Sequence, residues 1–82
     1  MKFMVQLQLQ PGSKTKAVEA FELRGPNRNP GVSFLGAWIG TKSDVAFALV
    51  ESSDESLVVK AAEAWREHGE CMLHQVIDIQ QY

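Results

Sequence analysis

The titratable residues near the carboxyl end of the chain have types and spacing that suggest chemistry. His74 and Asp78 lie four residues apart in a run where apolar and polar side chains alternate, so a strand would place both on one face. An imidazole on an inward face can act as an acid, a base or a haem ligand near neutral pH. At ~3.3 Å per residue the two side chains are too far apart for a direct hydrogen bond, so a pair needs a contact across strands or across a dimer. We prefer the simpler interpretation, in which His74 is a polar residue on a partly exposed strand.

Three potential metal ligands, His68, Cys71 and His74, follow one another at intervals of three residues. They span a predicted break between a helix and a strand and have no clear fourth ligand, so we predict neither a structural zinc site nor any other cofactor. A cation at position 68 suits the negative end of a helix dipole. Cys71 is expected in the core as a small hydrophobic residue.

The elements that must position these residues follow from hydrophobic periodicity and from turn-forming residues. The second helix has two local signals, because Ser52 and Glu55 have capping-box spacing and Gly69 is expected to end the helix in the left-handed conformation. The predicted elements, in chain order, are a strand at Lys2–Gln10, a helix at about Lys14–Arg24, strands at Val32–Ile39 and Val45–Val50, a helix beginning near Ser52, and a strand at about Cys71–Gln80.

This order of elements predicts a single domain, residues 1–82, with an α+β fold. Right-handed crossovers place the first and third strands side by side, which gives an antiparallel sheet in the order 4-1-3-2, a ferredoxin-like sandwich. The second and third strands along the chain, Val32–Ile39 and Val45–Val50, are apolar on both faces. In the second strand we expect Phe34 and Trp38 on one face, with Leu35, Ala37 and Ile39 on the other. Two helices cover one sheet face, so the second face needs another cover.

A second copy of the chain is the expected cover, because a domain of 82 residues has a small core and gains stability from dimerisation. Two such sheets packed face to face form a dimeric α/β barrel with a mainly apolar interior, which suits a small apolar ligand. The side chains expected to line that interior are Gln6, Gln8, Trp38 and His74.

Charge and composition exclude several classes of partner. The net charge of −2 gives no general attraction to nucleic acid or to anionic lipid, and the chain has no long apolar segment. A single cysteine cannot form an internal disulfide, so we expect a cytoplasmic protein without a signal peptide or membrane span. Arg28, in a loop rich in turn formers, could bind an anion, although a solvated turn residue is the simpler interpretation.

Three short motifs support a resemblance to a known family. They are Met1-Lys-Phe-Met-Val5, Leu35-Gly-x-Trp38 followed by Gly40, and Phe47-Ala-Leu-Val-Glu51. The chain resembles the bacterial family catalogued as domain of unknown function 3303 over nearly its whole length. That resemblance implies a dimeric α/β-barrel fold and no established activity. It also reveals a departure, because members commonly have Gly-Arg-Trp-His where this chain has Gly36-Ala37-Trp38-Ile39.

Three functions from different classes remain open. The first, which we prefer, is a homodimeric binding or structural module with a small apolar ligand. The second is a cofactor-independent monooxygenase or isomerase of the dimeric α/β-barrel type, with His74 as the base and Asp78 or Gln8 orienting the substrate. The third is a regulatory domain that senses a small molecule. Fold alone does not decide among them.

Overall fold

Two helices pack on one face of a four-stranded antiparallel sheet. The computed structural model describes residues 1–24 and 29–82. The sheet has the spatial order β2-β3-β1-β4, which is the predicted order 4-1-3-2, so the ferredoxin-like α+β fold is confirmed. The elements are β1 (Lys2–Leu9), α1 (Lys14–Arg24), β2 (Ser33–Ile39), β3 (Val45–Glu51), α2 (Glu55–Glu63) and β4 (Gly69–Val76). Neither helix in these described ranges has the length and apolar character needed to cross a membrane.

The core is built on β1, which lies between β3 and β4. Its alternating sequence turns Phe3, Leu7 and Leu9 towards the helices, and all three are buried. Phe3 packs in one cluster with Val58 of α2, whereas Leu7 and Leu9 pack with Ala17 of α1. Full burial of a side chain such as Phe3 contributes about 1.5–3 kcal/mol. The apolar alternation in β1 therefore anchors both helices to the same sheet face.

A β-bulge in β2 changes which side chains face the helices. Phe34 pairs with Val50 on the helix-covered face, but the register shifts between Phe34 and Gly36. After the shift, Trp38 pairs with Phe47 and lies on the opposite, uncovered face. The expectation that Phe34 and Trp38 share a face is therefore wrong, because one extra residue in a strand reverses the side to which all later side chains point.

The first turn of α2 is capped by a different residue from the one predicted. The carboxylate of Asp54 accepts hydrogen bonds from the Ser56 backbone N–H at 2.9 Å and from the Ser56 hydroxyl at 2.6 Å. Ser52 is buried instead, and its hydroxyl donates to the Gly31 carbonyl at 2.7 Å. The predicted capping box between Ser52 and Glu55 is wrong because Ser52 connects the loop before β2 to the segment before α2.

The link between α2 and β4 also differs from the prediction. After α2 the chain forms a short 3₁₀ helix, Arg66–His68, and Gly69 is then the first residue of β4. The φ angle of Gly69 is 162°, which is extended, so the predicted left-handed ending is wrong. A Cβ atom at this position would collide with the backbone carbonyl of Gln8 on β1. Glycine is needed here because two backbones approach closely.

The last strand is shorter than predicted. β4 ends at Val76 instead of continuing to Gln80, and a second short 3₁₀ helix follows at Ile79–Gln81. The Asp78 carboxylate accepts a hydrogen bond from the Gln80 backbone N–H at 2.8 Å and so caps this helix. Local capping by an aspartate competes with strand formation, which explains the early end of β4.

Replacing Asp54 by alanine is expected to lower the free energy of unfolding at pH 7, because two hydrogen bonds to its carboxylate are lost. These bonds, first the one from the Ser56 hydroxyl and then the one from its backbone N–H, lower the pKa of Asp54 below its ordinary value of 3.8. A lowered pKa stabilises the fold fully above the unfolded-state pKa and no longer does so once the pH falls through the folded-state pKa. Urea titrations measure the free energy of unfolding of the wild type and of Asp54→Ala. The difference between the two free energies should therefore be smaller at pH 3 than at pH 7. A difference between the two free energies of unfolding that widens in acid would contradict this assignment.

Candidate functional site

An apolar cavity of about 280 Å³ lies between the helices and the sheet. A water molecule takes a share of about 30 Å³ in the liquid, and native cores contain few voids larger than one water. The cavity is thus several times larger than an ordinary packing defect. Both helices and all four strands contribute to its walls, so it belongs to the whole helix–sheet interface of one chain.

Small side chains on both layers leave this space open. In the sheet, Ala37 on β2 pairs with Ala48 on β3, and Ile39 pairs with Ala46, all on the helix-covered face. The facing helices also present alanines towards the cavity, namely Ala17 of α1 and Ala61 and Ala62 of α2. An alanine side chain ends at Cβ, so two alanine-rich surfaces at the spacing set by larger neighbours cannot fill the volume between them.

Three aromatic rings form a continuous wall of the cavity. The ring centroids of Phe21 on α1 and Phe34 on β2 are 5.4 Å apart, and those of Phe21 and Trp65 are 6.4 Å apart. All three residues line the cavity. Aromatic rings at these separations attract one another in tilted or offset arrangements, and an additional ring entering the cavity can be accommodated in the same way.

The burial of the lining residues shows where the cavity opens. Its inner end is formed by buried side chains such as Leu7, Val50 and Val58. Towards α1 and the edge strand β2 the lining becomes exposed, with Val18 at 38% and Ile39 at 37% of their full accessibility. The cavity therefore has a closed end at β1 and α2 and a mouth between α1 and β2.

Among the described lining residues, the polar groups are the thiol of Cys71, the amide of Asn29 and the indole N–H groups of Trp38 and Trp65. Burial raises the pKa of the Cys71 thiol, although the nearby Arg66 acts in the opposite direction. The thiol is therefore protonated at neutral pH, and it donates a hydrogen bond to the Ala62 carbonyl at 3.5 Å. Asn29 is exposed. No described lining residue carries a charge, so the interior favours apolar molecules.

The four side chains predicted to line a pocket between two sheets lie on the other, uncovered face. One row across the sheet contains Trp38, Phe47, Gln6 and Met72, in that order. In the neighbouring rows His74 pairs with Met4, and Gln8 pairs with Val45. The four predicted residues thus share a face without surrounding one point, because Trp38 and His74 lie on opposite edge strands roughly 14 Å apart. Among the four, Trp38 also borders the cavity, since β2 forms one of its walls.

The predicted titratable residues do not converge. His74 is on the uncovered face of β4, whereas Asp78 lies beyond the strand and caps a 3₁₀ helix. Cys71 faces the helices, on the opposite side of β4 from His74, and the ring of His68 packs against Trp65 at a centroid distance of 5.8 Å.

Within residues 1–24 and 29–82, no three His, Cys, Asp or Glu residues are placed to hold a metal ion. Arg28, the predicted anion-binding residue, lies outside the described residues.

The cavity between the helices and the sheet was not predicted from the sequence. A signal for it was present in the run Val45-Ala-Phe-Ala48 of β3, because both inward residues of this run, Ala46 and Ala48, are alanines. Their partners on β2, Ile39 and Ala37, also point inward, because the bulge lies before them. Ala37 and Ile39, where the resembled pattern has Arg and His, face this cavity. In this chain, that wall of the cavity is therefore apolar.

Comparison with known proteins identifies one matching family model, described as Domain of unknown function (DUF3303), and the match extends over residues 1–82. No curated protein and no solved structure is significantly similar to the chain.

Proposed function

Because the chain belongs to the family described as Domain of unknown function (DUF3303), whose description assigns no activity, we propose its function from its geometry. The domain binds a small, largely apolar molecule in the cavity between its helices and its sheet. The observation that carries this proposal is an uncharged cavity of about 280 Å³ with one exposed end. An apolar cavity of about 150 Å³ holds a benzene molecule, and ligand pockets begin at about 300 Å³, so the volume suits a molecule of about two fused rings.

The domain also acts as a homodimer through the uncovered sheet face. Exposed apolar side chains project from this face, including Trp38 at 56% and Met72 at 45% of full accessibility. Four strands at a spacing of about 4.8 Å and seven residues at about 3.3 Å give a face of roughly 440 Å² before side-chain relief is counted. A patch of that size on a soluble protein is commonly an interaction site.

The distribution of charge on this face suits packing against a second copy. Charged residues are confined to its ends, where Lys2 pairs with Glu51 and where Glu70 pairs with Gln8. The rows between contain mostly apolar side chains, with Gln6 and His74 as the polar residues among them. An apolar centre with a polar rim is the usual composition of a protein interface. A two-fold axis through the centre would bring the apolar rows of two copies together.

The alternative of a monooxygenase or isomerase gains no support from the cavity. Its proposed base, His74, points away from the cavity on the opposite sheet face. The polar groups that line the cavity are a protonated thiol, the amide of Asn29 and two indole N–H donors, none of which is a general base at neutral pH. Binding is therefore the function that these residues support best.

Filling the cavity tests the proposed function. Ala48 lies on β3 opposite Val5 and lines the cavity, so Ala48→Leu places three additional carbon atoms in the empty volume. We expect Ala48→Leu to weaken binding of the neutral probe 2-naphthol at least tenfold and to raise the free energy of unfolding by about 0.5–2 kcal/mol. Isothermal titration calorimetry measures the first quantity, and urea titration measures the second.

The matched control for this experiment is Ala64→Leu, which adds the same atoms at an exposed position just after α2. This control should bind 2-naphthol as the wild type does. Failure of the wild type to bind 2-naphthol or a similar two-ring probe would reject the proposed function. Unchanged binding by Ala48→Leu would show that the probe binds elsewhere.

A further inference from the structure

We propose that the molecule bound in the cavity is an aromatic carboxylate, with its rings inside the cavity and its carboxylate on the ammonium group of Lys14. This inference rests on the proposed function and adds the chemical class of the ligand. It is carried by the juxtaposition of an uncharged aromatic cavity with one half-buried lysine beside its mouth.

Lys14 is the first residue of α1 and belongs to the helix face that lines the cavity. It precedes Ala17 by three residues and Val18 by four, and both of those residues line the cavity. Residues three and four apart are neighbours on a helix surface. The side chain of Lys14 therefore starts one turn before the lining and extends the same face.

The far end of the Lys14 side chain reaches the other side of the mouth. Its Nζ donates a hydrogen bond to the Gly40 carbonyl at 2.6 Å. Gly40 directly follows Ile39, an exposed residue of the cavity lining. The ammonium group is thus held between α1 and the end of β2, next to the edge at which a ligand would enter.

The ammonium group retains hydrogen-bonding capacity for a ligand. A lysine ammonium has three N–H donors, and the bond to Gly40 uses one of them. Within residues 1–24 and 29–82, Lys14 forms no ion pair with a carboxylate. The first turn of α1 contains no acidic residue, so the positive end of the helix dipole is also unopposed there.

The lining explains why the anionic group must lie at this position. A carboxylate deeper in the cavity would meet mainly apolar side chains and the protonated Cys71 thiol, with no cation to balance its charge, and burial of an unpaired charge is costly. At Lys14 the same carboxylate gains a charge-assisted hydrogen bond. The rings of the molecule then lie against Phe21, Phe34 and Trp65.

Two probes with the same ring system, one anionic and one neutral, test this inference. We expect the wild type at pH 7 and low salt to bind 2-naphthoate about tenfold more tightly than the neutral 2-naphthalenemethanol, the size expected for one charge-assisted hydrogen bond. Lys14→Gln should remove this preference by weakening 2-naphthoate about tenfold while leaving the alcohol unchanged. Lys14→Arg should keep most of the preference because it retains the charge.

The matched control is Lys16→Gln, which removes the same charge from the same turn of α1 at an exposed position on the side of the helix away from Lys14 and Val18. It should leave the preference for 2-naphthoate within twofold of the wild type. If Lys14→Gln weakens both probes equally, the lysine only ties α1 to the loop after β2, and the inference is wrong while the binding function stands. If neither probe binds the wild type, the proposed function itself fails.

Circular dichroism of each variant checks that it is folded. Should Lys14→Gln fail to fold, the preference measured on the wild type decides the question. If the wild type binds 2-naphthoate more tightly than 2-naphthalenemethanol at 50 mM salt but equally at 1 M salt, the carboxylate contacts a cation at the solvent-accessible mouth. Equal affinities of the wild type for the two probes at low salt overturn the inference.

Discussion

Replacing Gly69 by alanine is expected to destabilise the domain by about 3 kcal/mol, the upper range for overpacking at a site that cannot relax. The added Cβ would overlap the backbone carbonyl of Gln8 and lie 2.9 Å from the Cα of Leu9. These neighbours are backbone atoms of β1, so no side-chain rotation can relieve the contact. Relief requires β1 and β4 to separate where Leu9 pairs with Gly69. Leu9 is also buried in the core cluster with Leu7 and Ala17, so separation disturbs packing as well as hydrogen bonding.

Urea titration followed by circular dichroism measures this effect, and Gly12→Ala is the matched control. Gly12 has a φ of +81° and open space around its Cβ position, so alanine there meets only the cost of the left-handed conformation, about 1 kcal/mol. Comparison of the two variants separates steric overlap from backbone conformation. A loss at Gly69 no larger than the loss at Gly12 would contradict the close approach of β4 to β1.

Placing a charge on the uncovered sheet face should have the largest effect on assembly. We expect Met72→Asp to raise the dissociation constant of the proposed homodimer at least a hundredfold, which corresponds to about 2.7 kcal/mol. Met72 lies beside Gln6 on that face and is 45% exposed in the single chain. The substitution would therefore bury an unpaired carboxylate in the dimer and leave it hydrated in the monomer. A two-fold interface contains the change twice, which increases its effect.

Sedimentation equilibrium over a range of protein concentrations measures the dissociation constant. The control is Val59→Asp, which introduces the same charge at a residue of α2 that is 38% exposed, outside both the uncovered sheet face and the cavity lining. This control should dimerise as the wild type does. A wild type that stays monomeric at high concentration would reject the homodimer, and a Met72→Asp variant that dimerises normally would place the interface elsewhere.

The order of the elements could be predicted because it depends on patterns within short segments. Alternation of apolar and polar residues identified β1, and helical spacing with flanking turn formers gave α1 the bounds Lys14–Arg24 that the structure has. The handedness of strand connections then left one sheet order, and the structure confirms it. The membership of the family also followed from short motifs in the sequence, and the matched model covers residues 1–82.

Local features failed where two signals competed or where a distant backbone decided the outcome. Ser52 and Glu55 had the spacing of a capping box, but Asp54 is an equally good capping residue and caps α2. The Ser52 hydroxyl instead donates a hydrogen bond to the Gly31 carbonyl. Gly69 follows a helical segment, yet its neighbour in space is Gln8, sixty-one positions earlier in the sequence. Neither partner is visible in the residues that adjoin these positions.

The sequence by itself determined the architecture of this protein and the fact that both sheet faces carry apolar side chains, because alternation and helical spacing are properties of neighbouring residues. Only the tertiary structure decided that a cavity lies beneath the helices. One bulge in β2 turned Ala37 and Ile39 inward, and the folded layers placed Ala46 and Ala48 opposite the alanines of both helices. A cavity is a volume left between residues that are far apart in sequence, so its size depends on how the layers meet and cannot be read from any one segment.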